Sequence, residues 1–256
     1  MTVTAGDALS VTAKENAYVE GDAANVTLAF GLGAAIGVSL VKNEILSDIS
    51  ASVAGTSSAA RTMVTADSLT VLAISTANIA QTDTVGVASS LVAAVGNRAD
   101  ADIRTLVSSS VSNAVVTVKD AVTINANSNN TANAYAGGGT FGAIAAGAMI
   151  SDVGIGRGAA INEVTAAVGD HTTITSDTLS VNATAVDTLR SSTVSASGGL
   201  VAIAGAQSDI TSDNASLASI GEDVVITVGS LTMSSVKSQD FDSKADAVAF
   251  GLAAGN

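Results

Sequence analysis

One pattern of apolar and polar positions returns along the whole chain. Residues 176–183 read as a turn followed by a strand, with Leu179, Val181 and Ala183 on one face and Ser180 and Asn182 on the other. The same phrase occupies residues 6–13, 66–73 and 119–126, and a looser copy starts at residue 229. Its apolar anchors, Leu9, Leu69, Val122, Leu179 and Leu231, are spaced by 60, 53, 57 and 52 residues. An irregular period of this size marks a repeat architecture, in which each copy buries its apolar face against its neighbours. The copies fall near 6–65, 66–118, 119–175, 176–228 and 229–256.

Inside a copy, the opening strand leads into a polar stretch such as 14–25 or 127–134, and then into a long alternating segment. In the first copy one face of that segment carries Val26, Leu28, Phe30, Leu32, Ala34, Ile36, Val38 and Leu40. The other carries Thr27, Ala29, Gly31, Gly33, Ala35, Gly37 and Ser39. The second copy sets Val85, Val87, Leu91, Ala93 and Val95 against Gly86, Ala88, Ser90, Ala94 and Gly96. Period two and interior glycines predict strands rather than helices. The large face is expected to fill the core. The small face would let another backbone layer approach, either a second sheet of the same chain or a neighbouring chain. Gly31, Gly33, Gly37, Gly86 and Gly96 are therefore the candidate self-association face. A charged corner is expected next, at 42–48, 97–102 and 207–209. Further strands follow at 49–53, 103–107, 160–168 and 215–220, and short closing strands at 61–65, 115–118, 172–175 and 224–228. Each copy then holds four strand segments.

Composition narrows this further. Hydrophobic residues make up 47% of the chain but aromatics only 2%, so burial must come from aliphatic side chains in a thin core. Proline is absent, as suits segments hydrogen-bonded on both sides. The expected fold is all-β: an elongated, flattened parallel β-solenoid of about four and a half repeats of roughly 55 residues. It is expected to form a single continuous array that is a segment of a longer chain, since 249–254 echo 29–34 and neither end resembles a polar cap. Whether a copy makes one coil or two stays open. A net charge of −13 argues against nucleic acid and anionic membranes as partners. No membrane insertion is expected either. The apolar run 26–41 is short for a span and lacks interfacial Trp or Tyr.

Candidate chemistry is sparse. Gly31, Gly33 and Gly37 imitate a dinucleotide fingerprint, with wrong spacing and no helix to follow. Residues 154–158, Gly-Ile-Gly-Arg-Gly, would form either an anion nest around Arg157 or a plain corner, and the corner is preferred. Asp7, Asp67, Asp120 and Asp177 share one offset before the anchor and would stack in a column. Such a column is a candidate calcium site, but the glycine pattern of calcium-binding repeats is missing, so an Asx turn is the preferred reading. His171 is the only histidine and no cysteine exists, so neither zinc nor a nucleophilic triad is indicated. No catalytic residue and no cofactor is expected, and the chain is not expected to be an enzyme.

The Asp-x-Leu-x-Val-x-Ala phrase, the Gly/Ala-rich alternating strand, and an Ala-x-Val/Ile-Gly segment before a Val-x-Val strand together resemble repeats of large secreted bacterial adhesins. These are the filamentous-haemagglutinin-like and leukotoxin-like filamentous adhesins. The resemblance implies a β-solenoid on or outside the bacterial cell that acts through reach and adhesion. Its partners would be neighbouring copies and host or surface glycans or proteins. Two other functions remain on the sequence: a carbohydrate-binding or carbohydrate-active β-helix, and a self-assembling filament or surface-layer subunit.

Overall fold

In a computed structural model of the chain, the structure describes residues 1–30, 32–157 and 161–255. Strands cover 84% of the chain, and no helix occurs among the described residues. They form two sheets, and every pairing is parallel.

The chain passes repeatedly through both sheets. The first pass is β1 (Thr2–Thr4), β2 (Ala8–Leu28) and β3 (Ala34–Ala54), and the second is β4 (Thr62–Ala66), β5 (Ser68–Ser89) and β6 (Val92–Ser112). The third is β7 (Ala114–Val118), β8 (Ala121–Phe141), β9 (Ile144–Ile155) and β10 (Asn162–Val168). The fourth is β11 (Thr173–Gly198), β12 (Val201–Ser212) and β13 (Asn214–Ile220), and the last is β14 (Val225–Phe250) and β15 (Ala253–Gly255). In the first sheet β2, β5, β8, β11 and β14 lie side by side in that order. In the second, β3, β6, β9, β12 and β15 do so, and β10 and β13 continue the ladder beside the far half of β6.

The ladder follows the repeat. Leu9 pairs with Leu69, Leu69 with Val122, Val122 with Leu179, and Leu179 with Leu231. Each copy thus adds one long strand to each sheet. Strands about 4.8 Å apart stack five deep to about 19 Å, whereas 22 residues of strand run about 73 Å. The stacking axis is therefore the short dimension at this length of chain.

Two expected features are corrected. The polar stretch 14–25 lies inside β2, and the charged corner 42–48 lies inside β3, so the first two copies have fewer strands and fewer bends than the four segments expected, whereas the third and fourth keep four. Polar residues need not bend a strand when one face meets solvent and the other finds partners. Here the inner partners are a polar layer that divides the core. One apolar cluster gathers Leu69, Val71, Val122, Ile124, Leu179 and Val181 from the first sheet with Ile49, Val107 and Val164 from the second. A second gathers Ile79, Ala132 and Leu189 with Ile45, Ile103 and Ile155. Between them Ser47 donates to Glu15 (2.8 Å), and Thr105 meets Ser128 (3.1 Å). Asn130 and Asn214 both donate to the buried carboxylate of Asp187 (3.0 and 2.6 Å). Such groups cost free energy in a core unless hydrogen-bonded, and these are.

The second sheet breaks at this same layer. The chain leaves the ladder after Ile155 and rejoins it at Asn162, which would orphan the Thr105 amide. The Asn162 side chain accepts that N–H instead, at 2.7 Å. Gly156 makes the exit with φ 65, the left-handed region that glycine enters without steric cost.

Candidate interaction surfaces

In the first copy the long alternating segment faces the opposite way from the expectation, and in the second Val85 does so too, although beyond the turn Ala93 and Val95 face inward as expected. Phe30 and Leu32 are each 93% exposed, and Val26, Leu28, Ile36, Val38 and Leu40 also stand in solvent, while Ala35, Gly37 and Ser39 are buried. A Cβ added to Gly37 would come within 3.1 Å of Asn25 and Thr27. One added to Gly86 would come within 2.7 Å of Asn97. Each of these two glycines serves the approach of the chain's own opposite sheet and cannot meet a partner. Gly96 points outward with nothing within 4 Å, Gly33 sits in the turn against Ala29, and Gly31 lies outside the described residues. Near this turn the inner face is small and polar. Asn97 donates to the carbonyl of Gly137 (2.7 Å), and Thr140 meets Ser197 (2.8 Å). Small inner side chains let the sheets close together there, and the large aliphatics are left outside.

The turn itself depends on glycines that the sequence reading did not single out. Gly142, Gly199 and Gly251 stack at successive passes. A Cβ on Gly199 would lie 2.0 Å from the carbonyl oxygen of Gly142, and one on Gly251 2.4 Å from that of Gly199. Their spacing of 57 and 52 residues, the same as the anchors', was the available signal. Within the apolar stretch 26–41, residues 26–28 end β2 and residues 34–41 open β3, and among the described residues no helix is long and apolar enough to cross a membrane.

The outer face of the second sheet carries a charged network across three passes. Lys42 pairs with Glu44 (3.3 Å) and Asp102 (3.7 Å), and Arg98 pairs with Asp100 (2.8 Å) and Asp152 (3.5 Å). Arg157 reaches Asp102 (3.2 Å) and Asp152, so it neutralises carboxylates of its own chain rather than forming an anion nest. Gly158 lies outside the described residues. Burial pushes the Asp102 carboxyl above its ordinary value, and Arg157 and Lys42 pull the other way. Lys42, Glu44, Asp102 and Arg157 line a notch of about 360 Å³ with Arg104, whose buried Nε finds no hydrogen-bond partner among the described residues. A guanidinium flanked by carboxylates and a lysine suits a ligand bearing one acidic group and several hydroxyls. The break in the ladder that opens this notch has no signature in residue spacing.

The four aspartates do stack. The Asp67 amide donates to the Asp7 carbonyl, Asp120 to Asp67, and Asp177 to Asp120, each at 2.9 Å. Their carboxylates accept no backbone N–H among the described residues, so the main chain rather than an Asx turn orders the bend. Lys119 pairs with Asp67. Among the described residues no three carboxylate or imidazole groups gather as a cation would require. His171 occupies the opposite turn with φ 52, its Nδ1 3.2 Å from Asp223.

No protein-family model, no curated protein and no solved structure matches this chain.

Proposed function

We propose that the chain is a parallel β-solenoid of about four and a half repeats of roughly 55 residues, a single continuous array that serves as a structural segment of a large extracellular bacterial fibre or adhesin. The observation that supports this reading is the ladder through Leu9, Leu69, Val122, Leu179 and Leu231, which any further copy would extend without a new contact type. Growth is slow in length, about 4.8 Å for each copy, so what a copy adds is a stiff, broad face more than reach. Gold-labelled antibody against the chain, applied to intact producing cells, tests the placement. Labelling of unpermeabilised cells is expected, and labelling only after permeabilisation refutes it.

A second reading, carbohydrate binding, is favoured by the notch around Arg104. Binding of uronate-containing oligosaccharides, lost in Arg104→Ala, would support it, and equal binding by both proteins would reject it.

A further inference from the structure

The turn stacked on Gly142, Gly199 and Gly251 is bordered by large aliphatic and aromatic side chains in the central passes as well as the outer ones. Leu91, Phe141, Ile144, Leu200, Val201 and Ile203 are all exposed, Phe141 by 53% and Leu200 by 59%. In the ladder Val92, Ile144 and Val201 are direct neighbours, so the exposed residues form one margin running along the stacking axis. Every pass contributes a window without a charged residue: 23–41, 84–97, 121–151, 191–208 and 247–256. Five strands about 4.8 Å apart and about ten residues around the turn give a footprint on the order of 800 Å². A standard interface takes about that area from each partner. A soluble monomer seldom exposes so large a contiguous apolar patch.

We propose that this margin is a lateral docking surface for a second copy of the same chain. Charge selects that occupant. Two chains of net charge −13 repel, and here they can touch without bringing carboxylates together. The nearest charged side chains, Asp246 and then the Asp22–Asp83 column in the first sheet, and Arg98 and then the Lys42–Asp100 column in the second, lie at or beyond the window edges. A lipid surface is disfavoured, because the windows hold no Trp, Lys or Arg of the kind that anchors interfacial proteins. The association does not depend on the fibre reading, since it concerns the side of the stack and not its growth.

Sedimentation velocity of the chain, over about 1 to 200 µM, tests the proposal. Concentration-dependent association is expected, and it tightens as salt rises from about 50 to 500 mM, because screening removes only repulsion. Ile144→Glu and Leu200→Glu should each weaken it at least tenfold with an unchanged far-ultraviolet spectrum. Leu217→Glu, equally exposed but on β13, should leave it intact. Should a glutamate variant misfold, Leu200→Cys in this cysteine-free chain is expected to cross-link copies on oxidation. A wild-type monomer at every concentration overturns the proposal. So does association that loosens with salt, equal loss in Leu217→Glu, or a monomer that floats with neutral phosphatidylcholine vesicles, which would assign the margin to lipid.

Discussion

The anchor leucines provide a graded test, because one residue type sits at one offset in several copies with different enclosure. Leu69 is fully buried and Leu179 is 1% exposed, each between ladder neighbours on both sides, whereas Leu231 is 46% exposed on the last strand of its sheet. Truncating an enclosed leucine removes its transfer free energy and leaves a cavity, about 2–5 kcal/mol together. At Leu231 about half of a transfer term near 2 kcal/mol is lost and no closed cavity remains, so about 1 kcal/mol is expected. Urea unfolding followed by far-ultraviolet circular dichroism reads the difference. With a slope of about 3 kcal/mol/M, Leu69→Ala and Leu179→Ala should each lower the midpoint by about 1 M, and Leu231→Ala by about 0.3 M. Equal losses at Leu179 and Leu231, or a loss near zero at Leu69, would refute the stacking of the anchors in one column.

Three further outcomes follow from single contacts. Gly199→Ala places a Cβ 2.0 Å from a backbone oxygen and should cost about 1–3 kcal/mol, while Gly96→Ala, with nothing within 4 Å, should be close to neutral in the same urea assay. Asp187→Ala leaves the Asn130 and Asn214 amides without their buried acceptor and should cost about 2–4 kcal/mol by urea midpoint. Burial raises the Asp102 pKa above its ordinary 3.8, so the folded chain binds that proton more tightly than the unfolded one. Its contribution to stability is therefore lost as pH rises through the folded pKa and regained as pH falls towards the unfolded value. The midpoint difference between wild type and Asp102→Asn should shift in favour of the wild type on acidification, and a pH-independent difference would contradict the assignment.

The copies and their pairing were legible because an apolar anchor every 52 to 60 residues leaves few registers open, and Leu179 opposite both Val122 and Leu231 follows directly. Which face pointed inward was legible only in part. Period two separates Phe30 and Leu32 from Ala35 and Gly37 but is symmetric about the sheet, and residue size pointed the wrong way in the first copy while agreeing at Ala93 and Val95 of the second. The inner space near the glycine turn is too thin for large side chains, and that thinness comes from the opposite strand, not from the segment itself. The charge of residues 42–48 suggests a corner in the sequence, but charge alone does not bend a strand. In β3 the charged side chains lie along a straight outer face, and only inner Ser47 and Asn43 need partners from the facing sheet. The notch at Arg104 arises where β9 and β10 part, a tertiary event with no local pattern.

The stacked register itself is most directly tested by cysteine pairs in this cysteine-free chain. Thr123 and Ser180 are ladder neighbours on the outer face, whereas Asn182 pairs with Asn125, two residues further along. Adjacent parallel strands place neighbouring Cα atoms about 4.8 Å apart, within disulfide range, and the displaced pair about 8 Å apart, outside it. Oxidation of Thr123→Cys/Ser180→Cys should close an intramolecular disulfide, and Thr123→Cys/Asn182→Cys should stay reduced. Preferential closure of the displaced pair, or closure of neither, would contradict the stacked copies.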